Sequence, residues 1–350
     1  MPIRSKTFFE TYYEDIRLFK TIWIKAWMLI LVVGLALLPF FGGAYVVYMF
    51  NLACLAAIGG LGLNLLTGFT GQISLGHAAF LAVGAYATAL LGGHFSWPFY
   101  LTLPASGAIA AVFGIALGFP CLRLKGLYLA MATMAFGMVI EYVVVTWEGL
   151  TGGVRGLYVP LVSIFGFELN TDERMYYFLV IITALMVTAA KNITRTRVGR
   201  AWVAVRDRDV AAEALGVNLT LYKVIAFAVS AFYAGVAGGL YAYVMAYINP
   251  EHFTLMLSIQ YLTLIIIGGL GSILGSIFGA IFITIIPEAI SLLANELARI
   301  IPALEGRYDQ EWNIAAFGLL IMLFLIFEPG GLNAIWGKVK TGFKNWPFTY

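Results

Sequence analysis

The chain has 350 residues, of which 61% are hydrophobic and 11% charged, with a mean hydropathy of +0.91 and a formal net charge of +3. An ordinary soluble domain is about 45–50% apolar and about 25% charged, so too little polar surface remains to cover a globule in water, and intrinsic disorder is excluded by the same hydrophobicity. The small charge excess gives no basis for nucleic-acid binding, and the composition is that of an all-α, polytopic transmembrane bundle.

The first 25 residues hold Arg4, Lys6, Arg17, Lys20 and Lys25, without a short apolar run ending in a cleavage site, so no signal peptide is expected. Within residues 8–23, Phe9, Tyr12, Tyr13, Ile16, Phe19 and Trp23 recur at helical spacing, and Glu10, Glu14, Arg17 and Lys20 lie mostly off that stripe. The pattern predicts an amphipathic segment in the membrane interface over 1–25. A crossing takes about 20 apolar residues. On that scale about ten spans are predicted: 26–43, 44–66, 77–93, 99–119, 127–147, 176–190, 224–244, 257–270, 273–290 and 313–328. They place a membrane domain at 26–335, a loop at 191–223 within it, and a tail at 336–350.

The basic residues orient this arrangement. With the amino terminus inside, segments 1–25, 120–126, 191–223 and the tail carry 17 basic residues, against four in the outer loops (Arg155, Arg174, Arg299 and Arg307). Positive charge collects on the cytoplasmic side, so both termini are expected there. Trp27, Trp97, Trp147, Trp312 and Trp336 fall near span ends, where an amphipathic ring favours the headgroup zone. Glycines and alanines recur every four residues in three rows, Gly114 with Gly118, Ala231 with Gly235 and Gly239, and Gly271 with Gly275 and Gly279. Such rows let helix backbones approach closely and predict tight packing. Cys54 and Cys121 read as small core residues rather than a disulfide or metal pair.

Two constellations stand apart. The stretch Thr67-Gly68-Phe69-Thr70-Gly71-Gln72-Ile73-Ser74-Leu75-Gly76-His77 crowds glycine and polar residues into apolar sequence. Non-helical backbone at membrane depth survives only when buried in protein or lining a cavity. An interrupted helix beside a solute path is one use of such a stretch, and a tight inner turn between spans is the other; both stay open. Gly68, Thr70, Gly71, Gln72, Ser74 and His77 are the path candidates. Residues 267–276 echo the stretch weakly. His77 has no ligand-spaced partner, so a packing histidine is expected and no metal site. Glu141 is the acidic residue read as lying well inside a span, where a charge costs roughly 2.5–3.5 kcal/mol, although it sits within about two turns of the outer end.

The second constellation is the loop 191–223, with seven basic residues. Its centre, Asp207-Arg208-Asp209-Val210-Ala211-Ala212-Glu213-Ala214-Leu215-Gly216, predicts a short extramembrane helix near 208–215, opened by aspartate and closed by glycine. It serves either to fix topology or as a knob for a cytosolic partner. No phosphate-binding loop is present, since the Gly337-Lys338 pair is followed by Val339. Paired intramembrane carboxylates are missing as well, so any uphill transport must draw on ATP hydrolysis by another chain.

Together these motifs resemble the membrane permease subunits of branched-chain amino-acid ABC importers, the LivM family. The resemblance is carried by Thr67-Gly68 with Gly71 to Phe80, Gly84-Ala85-Tyr86, Thr151-Gly152-Gly153 with Gly156-Leu157, Gly199-Arg200, Ala204 to Asp207 with Ala211 to Gly216, Gly268 to Ser272, and Glu328-Pro329 with Gly331-Leu332. It runs in order from about residue 45 to 335. It implies a multi-pass protein of the inner membrane, paired with a second homologous permease (LivH-like), two cytosolic ATP-binding subunits and a periplasmic or extracellular solute-binding protein, and surrounded by lipid. It further implies no enzymatic activity and no cofactor on this chain, with ATP and magnesium on the partner ATPases. Arg206, Asp207, Asp209, Ala211, Ala212, Glu213 and Gly216 are then the expected ATPase-coupling residues, and Gly68 to His77 lie near the path. Urea and short-amide importers have permeases with similar motifs and form the alternative within transporters. A stand-alone channel or ion-coupled carrier is the alternative from another class. A membrane enzyme finds no support in the scattered His77, His94 and His252.

Overall fold

Long apolar runs broken only by glycine, proline or small polar clusters fold here as helices, and the clusters form the turns. The computed structural model describes residues 22–160, 163–164, 167–168, 171–300, 318–319, 322, 326–328 and 330–345. It divides into two units, Met1–Tyr48 and Met49–Tyr350. In the first unit, α1 (Ile22–Phe41) contains Pro39, and its outer residues, Leu29 to Val33 among them, are exposed apolar side chains suited to lipid. Most of the expected interfacial segment 1–25 lies outside the described residues.

Helix α2 (Gly43–Thr70) leads into α3 (His77–Gly93), α4 (Phe99–Cys121) and α5 (Leu127–Thr146), followed by the single turn α6 (Glu148–Thr151). After α7 (Asp172–Arg195) come two short helices, α8 (Arg197–Asp207) and α9 (Asp209–Ala214). The chain then forms α10 (Leu219–Met245), α11 (Leu255–Gly268), α12 (Ile273–Ile300) and the amphipathic α13 (Gly331–Asn345). Among the described residues, seven helical segments are long and apolar enough to cross a membrane, and each coincides with one of the ten expected spans. Two further expected spans correspond to shorter apolar helices, Leu29–Phe41 and His77–Gly93. The span expected at 313–328 lies mostly outside the described residues. Helix α13 runs across the expected boundary at 335, and its Trp336 ring packs 6.1 Å from Phe278.

The bundle is helical with small β additions that the apolar periodicity does not announce. Strand β1 (Leu157–Tyr158) pairs antiparallel with β4 (Tyr247–Ile248), and β2 (Ser163–Ile164) with β3 (Phe167–Glu168). The first ladder ties the loop after α6 to the end of α10, and Tyr247 Oη donates to the Arg155 carbonyl at 2.5 Å.

Two of the small-residue rows meet face to face. A Cβ placed on Gly114 would stand 2.6 Å from the Ala231 methyl, one on Gly118 would touch Phe227, and one on Gly235 would stand 2.5 Å from the Ala110 methyl. Helix α10 is held on another side by α3. There a Cβ on Gly84 would lie 2.2 Å from the Gly235 carbonyl oxygen, and one on Gly238 2.0 Å from that of Leu81. Gly239 abuts the Thr88 and Ser106 hydroxyls. Backbones this close gain dispersion contacts that lipid tails cannot replace, which is what holds helices together where apolar burial drives nothing. In the third row Gly275 and Gly279 pack α12 on α11, against Gly268 and Leu264. Gly271, expected on that helix face, lies instead in the turn between α11 and α12 at φ +73°. The row ends there because α12 begins only at Ile273.

Candidate functional site

The stretch 67–77 is neither a plain helix nor a short turn. Helix α2 continues to Thr70, residues 71–76 are non-helical, and α3 begins at His77. The His77 Nε2 atom sits 2.9 Å from the carbonyl oxygen of Gly59. Gly59 precedes the end of α2 by eleven residues, about 16 Å of helix. The segment 71–76 therefore climbs back along α2, a distance that an extended chain of about 3.3 Å per residue covers. Its far end lies beside α5, where a Cβ on Gly76 would stand 2.2 Å from the Thr133 carbonyl oxygen.

Buried side chains satisfy the backbone that this segment leaves outside helices. The Thr67 hydroxyl donates to the Gln72 carbonyl at 3.0 Å, Leu75 N–H donates to Thr133 Oγ1 at 2.9 Å, and Ala78 N–H to Ser258 Oγ at 2.9 Å. The Thr70 hydroxyl donates to the Leu66 carbonyl. Gly71 takes φ +72°, which a side chain would resist. Of the path candidates, Gly68, Thr70, Gln72, Ser74 and His77 are buried, and Gly71 is exposed. The His77 ring also packs edge-on against Tyr261 at 5.3 Å, as a packing histidine does.

The weak echo at 267–276 lies against the first break. Contacts run in parallel along α2 and α11, from Gly59 on Tyr261 and Gly60 on Leu264 to Gly68 on Gly271. Both helices thus end at the same level in a glycine turn. Asn64, fully buried, ties the two together. Its Nδ2 donates to the Ser272 carbonyl at 2.8 Å and to Ser276 Oγ at 2.7 Å, and its Oδ1 accepts from Gly271 N–H at 2.9 Å. Replacing Asn64 with leucine leaves Gly271 N–H and the Ser272 carbonyl without this partner, at about 1–3 kcal/mol per orphaned group. A fall in the thermal midpoint of the detergent-solubilised protein is the expected readout, and an unchanged midpoint would remove Asn64 from this role. Asn64 was legible as a polar residue inside span 44–66, but nothing in the sequence named its partners.

Arg206 joins the breaks to the extramembrane helices. Its Nη1 donates to the Gly68 carbonyl at 3.0 Å and lies 3.0 Å from where a Gly271 Cβ would stand, and its stem lies 3.1 Å from a Cβ on Gly71. Nε and Nη2 both donate to Asp207 Oδ1 at 3.2 Å. Arg206 sits in the last turn of α8, a helix within the stretch 191–223 that the sequence predicts as a loop with one short helix near 208–215. Ala201, Trp202 and Val205 form a buried helical stripe there, and Trp202 Nε1 donates to the Tyr222 carbonyl at 2.9 Å. The helix is thus fixed to the start of α10.

Helix α9 follows, at 209–214 where 208–215 was expected. Asp209 pairs with Lys125 from the link between α4 and α5, and that ammonium, hydrogen-bonded to the carboxylate, holds the Asp209 carboxyl below the usual range. Ala212 faces inward, and Ala211, Glu213 and Gly216 are exposed. Val210 is 73% and Leu215 85% exposed, although both are apolar and outside the spans. Both side chains are bare at this helix and touch no other part of the bundle closely enough to be covered. Charge and helix-end signals named the segment, and only the fold showed which of its side chains are bare. Gly216 takes φ +85° with open space around its Cβ position, so it stops the helix without packing on anything.

Beyond the breaks, a cavity of about 320 Å³ lies among α2, α3, α10, α11 and α12. It is lined by leucines and by His252, Gln260, Thr284 and Glu288. Glu288, which the sequence analysis did not single out, falls near the end of the apolar span Ile273–Ser291. Helix α12 runs on to Ile300, and the Glu288 carboxylate lines the cavity. Glu141 borders a much smaller void, of about 10 Å³.

Residues 45–326 match the family described as branched-chain amino acid transport system, permease component. The LivM high-affinity branched-chain amino acid transport permease of Escherichia coli is 31% identical over 332 residues, covering 88% of this chain and 74% of that protein. The Salmonella typhimurium LivM protein is likewise 31% identical over 297 residues, covering 78% of this chain and 66% of its own length. The LivH permease of the same organism is 25% identical over 316 residues, covering 81% of this chain and 94% of that protein. No solved structure matches the chain. The matched region takes in both glycine breaks, the α8–α9 arm and the close-packed core helices, and the chain belongs to the family of permease components of branched-chain amino acid transport systems.

Proposed function

We propose that this protein is the membrane permease of an ABC importer that carries branched-chain amino acids across the inner membrane. It works beside a LivH-like second permease, a solute-binding protein and two cytosolic ATPases, which hold the ATP and magnesium. The chain crosses the membrane about ten times, with both termini and the α8–α9 arm in the cytoplasm, in line with the distribution of basic residues. Family membership supports the solute class.

The observation that carries the coupling mechanism is the single side chain of Arg206, which reaches from the arm to the break 68–77 and to the turn at Gly271. Val210 and Leu215 offer an apolar knob to an ATPase groove, with Asp207, Asp209 and Glu213 around it. When ATP draws the two ATPases together, the knob moves, α8 moves with it as a rigid piece, and Arg206 shifts its hold on both turns. The ends of α2 and α11 and the start of α12 then move together, which exchanges outward and inward access.

The test is uptake by the complete importer reconstituted in vesicles with ATP, leucine and its binding protein, with urea as a competitor. Leucine uptake that urea does not inhibit is expected, and uptake of urea instead would overturn the solute class. Glu213→Lys or Gly216→Val is expected to cut uptake more than tenfold at unchanged membrane insertion. Gly216→Val adds only about 1–2 kcal/mol of local backbone strain, too little to unfold a bundle. Full transport by both variants would remove α9 from the coupling role.

A further inference from the structure

We infer that the cavity among α2, α3, α10, α11 and α12 is a resting site for a zwitterionic amino acid with an apolar side chain during its passage. This inference rests on the permease reading and adds the place and the chemistry of recognition. The volume of about 320 Å³ falls at the small end of ligand sites, which run from about 300 to 1,000 Å³. It admits one small solute.

The lining has two chemical characters. Leu52, Leu257 and Ile283 supply aliphatic wall from three helices, a surface for a branched side chain. Glu288 supplies a carboxylate from near the end of the apolar span Ile273–Ser291 of α12. A carboxylate on an apolar span is retained where it meets the bundle interior, water or a cation. An α-ammonium group is a cation of the right size. His252 and Gln260 lie on the same lining, and both carry N–H groups of the kind that donate to a solute carboxylate or its water. Thr284 stands one turn before Glu288, so the two share a helix face. Its hydroxyl is already bonded to the Ala280 carbonyl at 2.9 Å, which makes it a neutral position for a reporter.

Urea has neither an ammonium group nor an aliphatic part and uses neither half of this lining. Lysine brings a second cation that the aliphatic wall would have to desolvate.

The experiment is cysteine protection in the complete importer. Cys54 and Cys121 are the two cysteines of the chain and both are free thiols, so Cys54→Ala and Cys121→Ala give a clean background. Thr284→Cys is then labelled with a small maleimide in vesicles without binding protein. Leucine is expected to slow labelling at least fivefold, with no slowing by urea or lysine at the same concentration. Adding Glu288→Gln is expected to raise the leucine concentration for half protection about tenfold. Leu257→Cys serves as the second reporter should the Thr284→Cys importer fail to take up leucine. Unprotected labelling at both positions, in importers that do take up leucine, would overturn the site. Equal protection by urea would overturn the ligand class. Failure of the unmodified importer to take up leucine would instead overturn the permease reading, and this inference with it.

Discussion

Gly238→Val is expected to leave almost no folded protein in the membrane. A Cβ at this position would stand 2.0 Å from the Leu81 carbonyl oxygen, with the Leu81 backbone carbon at 2.7 Å, so no side-chain rotation relieves it. Helices α3 and α10 must part, and the contacts around Gly84 and Gly235 are lost with them. Ordinary overpacking costs about 1–3 kcal/mol because side chains move aside. Here backbone meets backbone, and the cost lies at or above that upper figure, a large share of the roughly 5–15 kcal/mol that holds a domain folded. Size-exclusion profiles and thermal midpoints of solubilised protein check this. Gly238→Ala should lie between wild type and valine. Gly93→Ala, with nothing within 4 Å of the added atom, should match wild type. A wild-type midpoint for Gly238→Val would mean that α3 and α10 do not cross here.

The second large effect is expected from Arg206→Ala, and it differs in kind. About 39% of the side chain is exposed, so the bundle should fold without it. What is lost is the hold on the Gly68 carbonyl. A hydrogen bond to a charged group contributes about 1.5–3 kcal/mol, and if that bond biases the two access states, its loss lowers uptake by about tenfold or more. Uptake per ATP hydrolysed, measured on the reconstituted importer, separates uncoupling from poor assembly. ATP hydrolysis should persist while transport falls. Arg206→Lys should recover part of the loss, since an ammonium can reach one carbonyl but cannot also hold Asp207 through a planar fork. Transport per ATP equal to wild type in Arg206→Ala would show that the arm moves the bundle by another route.

The sequence by itself determined the class of this protein, and it did so through composition and period. Apolar runs of span length can only be helices in lipid, because every backbone group must find its partner within the segment. Helix α9 was legible because aspartate and glycine act on their own immediate neighbours, at Asp209 and Gly216. The crowding of glycine and polar residues over 67–77 marked the break for the same local reason. The tertiary structure alone decided how far the break climbs, since His77 reaches Gly59 through packing that no spacing encodes. It alone set Asn64 against Ser272 and Arg206 against Gly68, pairs more than a hundred residues apart. Gly84 stood out only as part of a motif and Gly238 not at all, until their neighbours were known. Glu288 stands near the end of its apolar run, and only the fold showed that it lines a cavity. Local rules act over a few residues, whereas a cavity or a latch exists only once distant segments are brought to within a few ångströms.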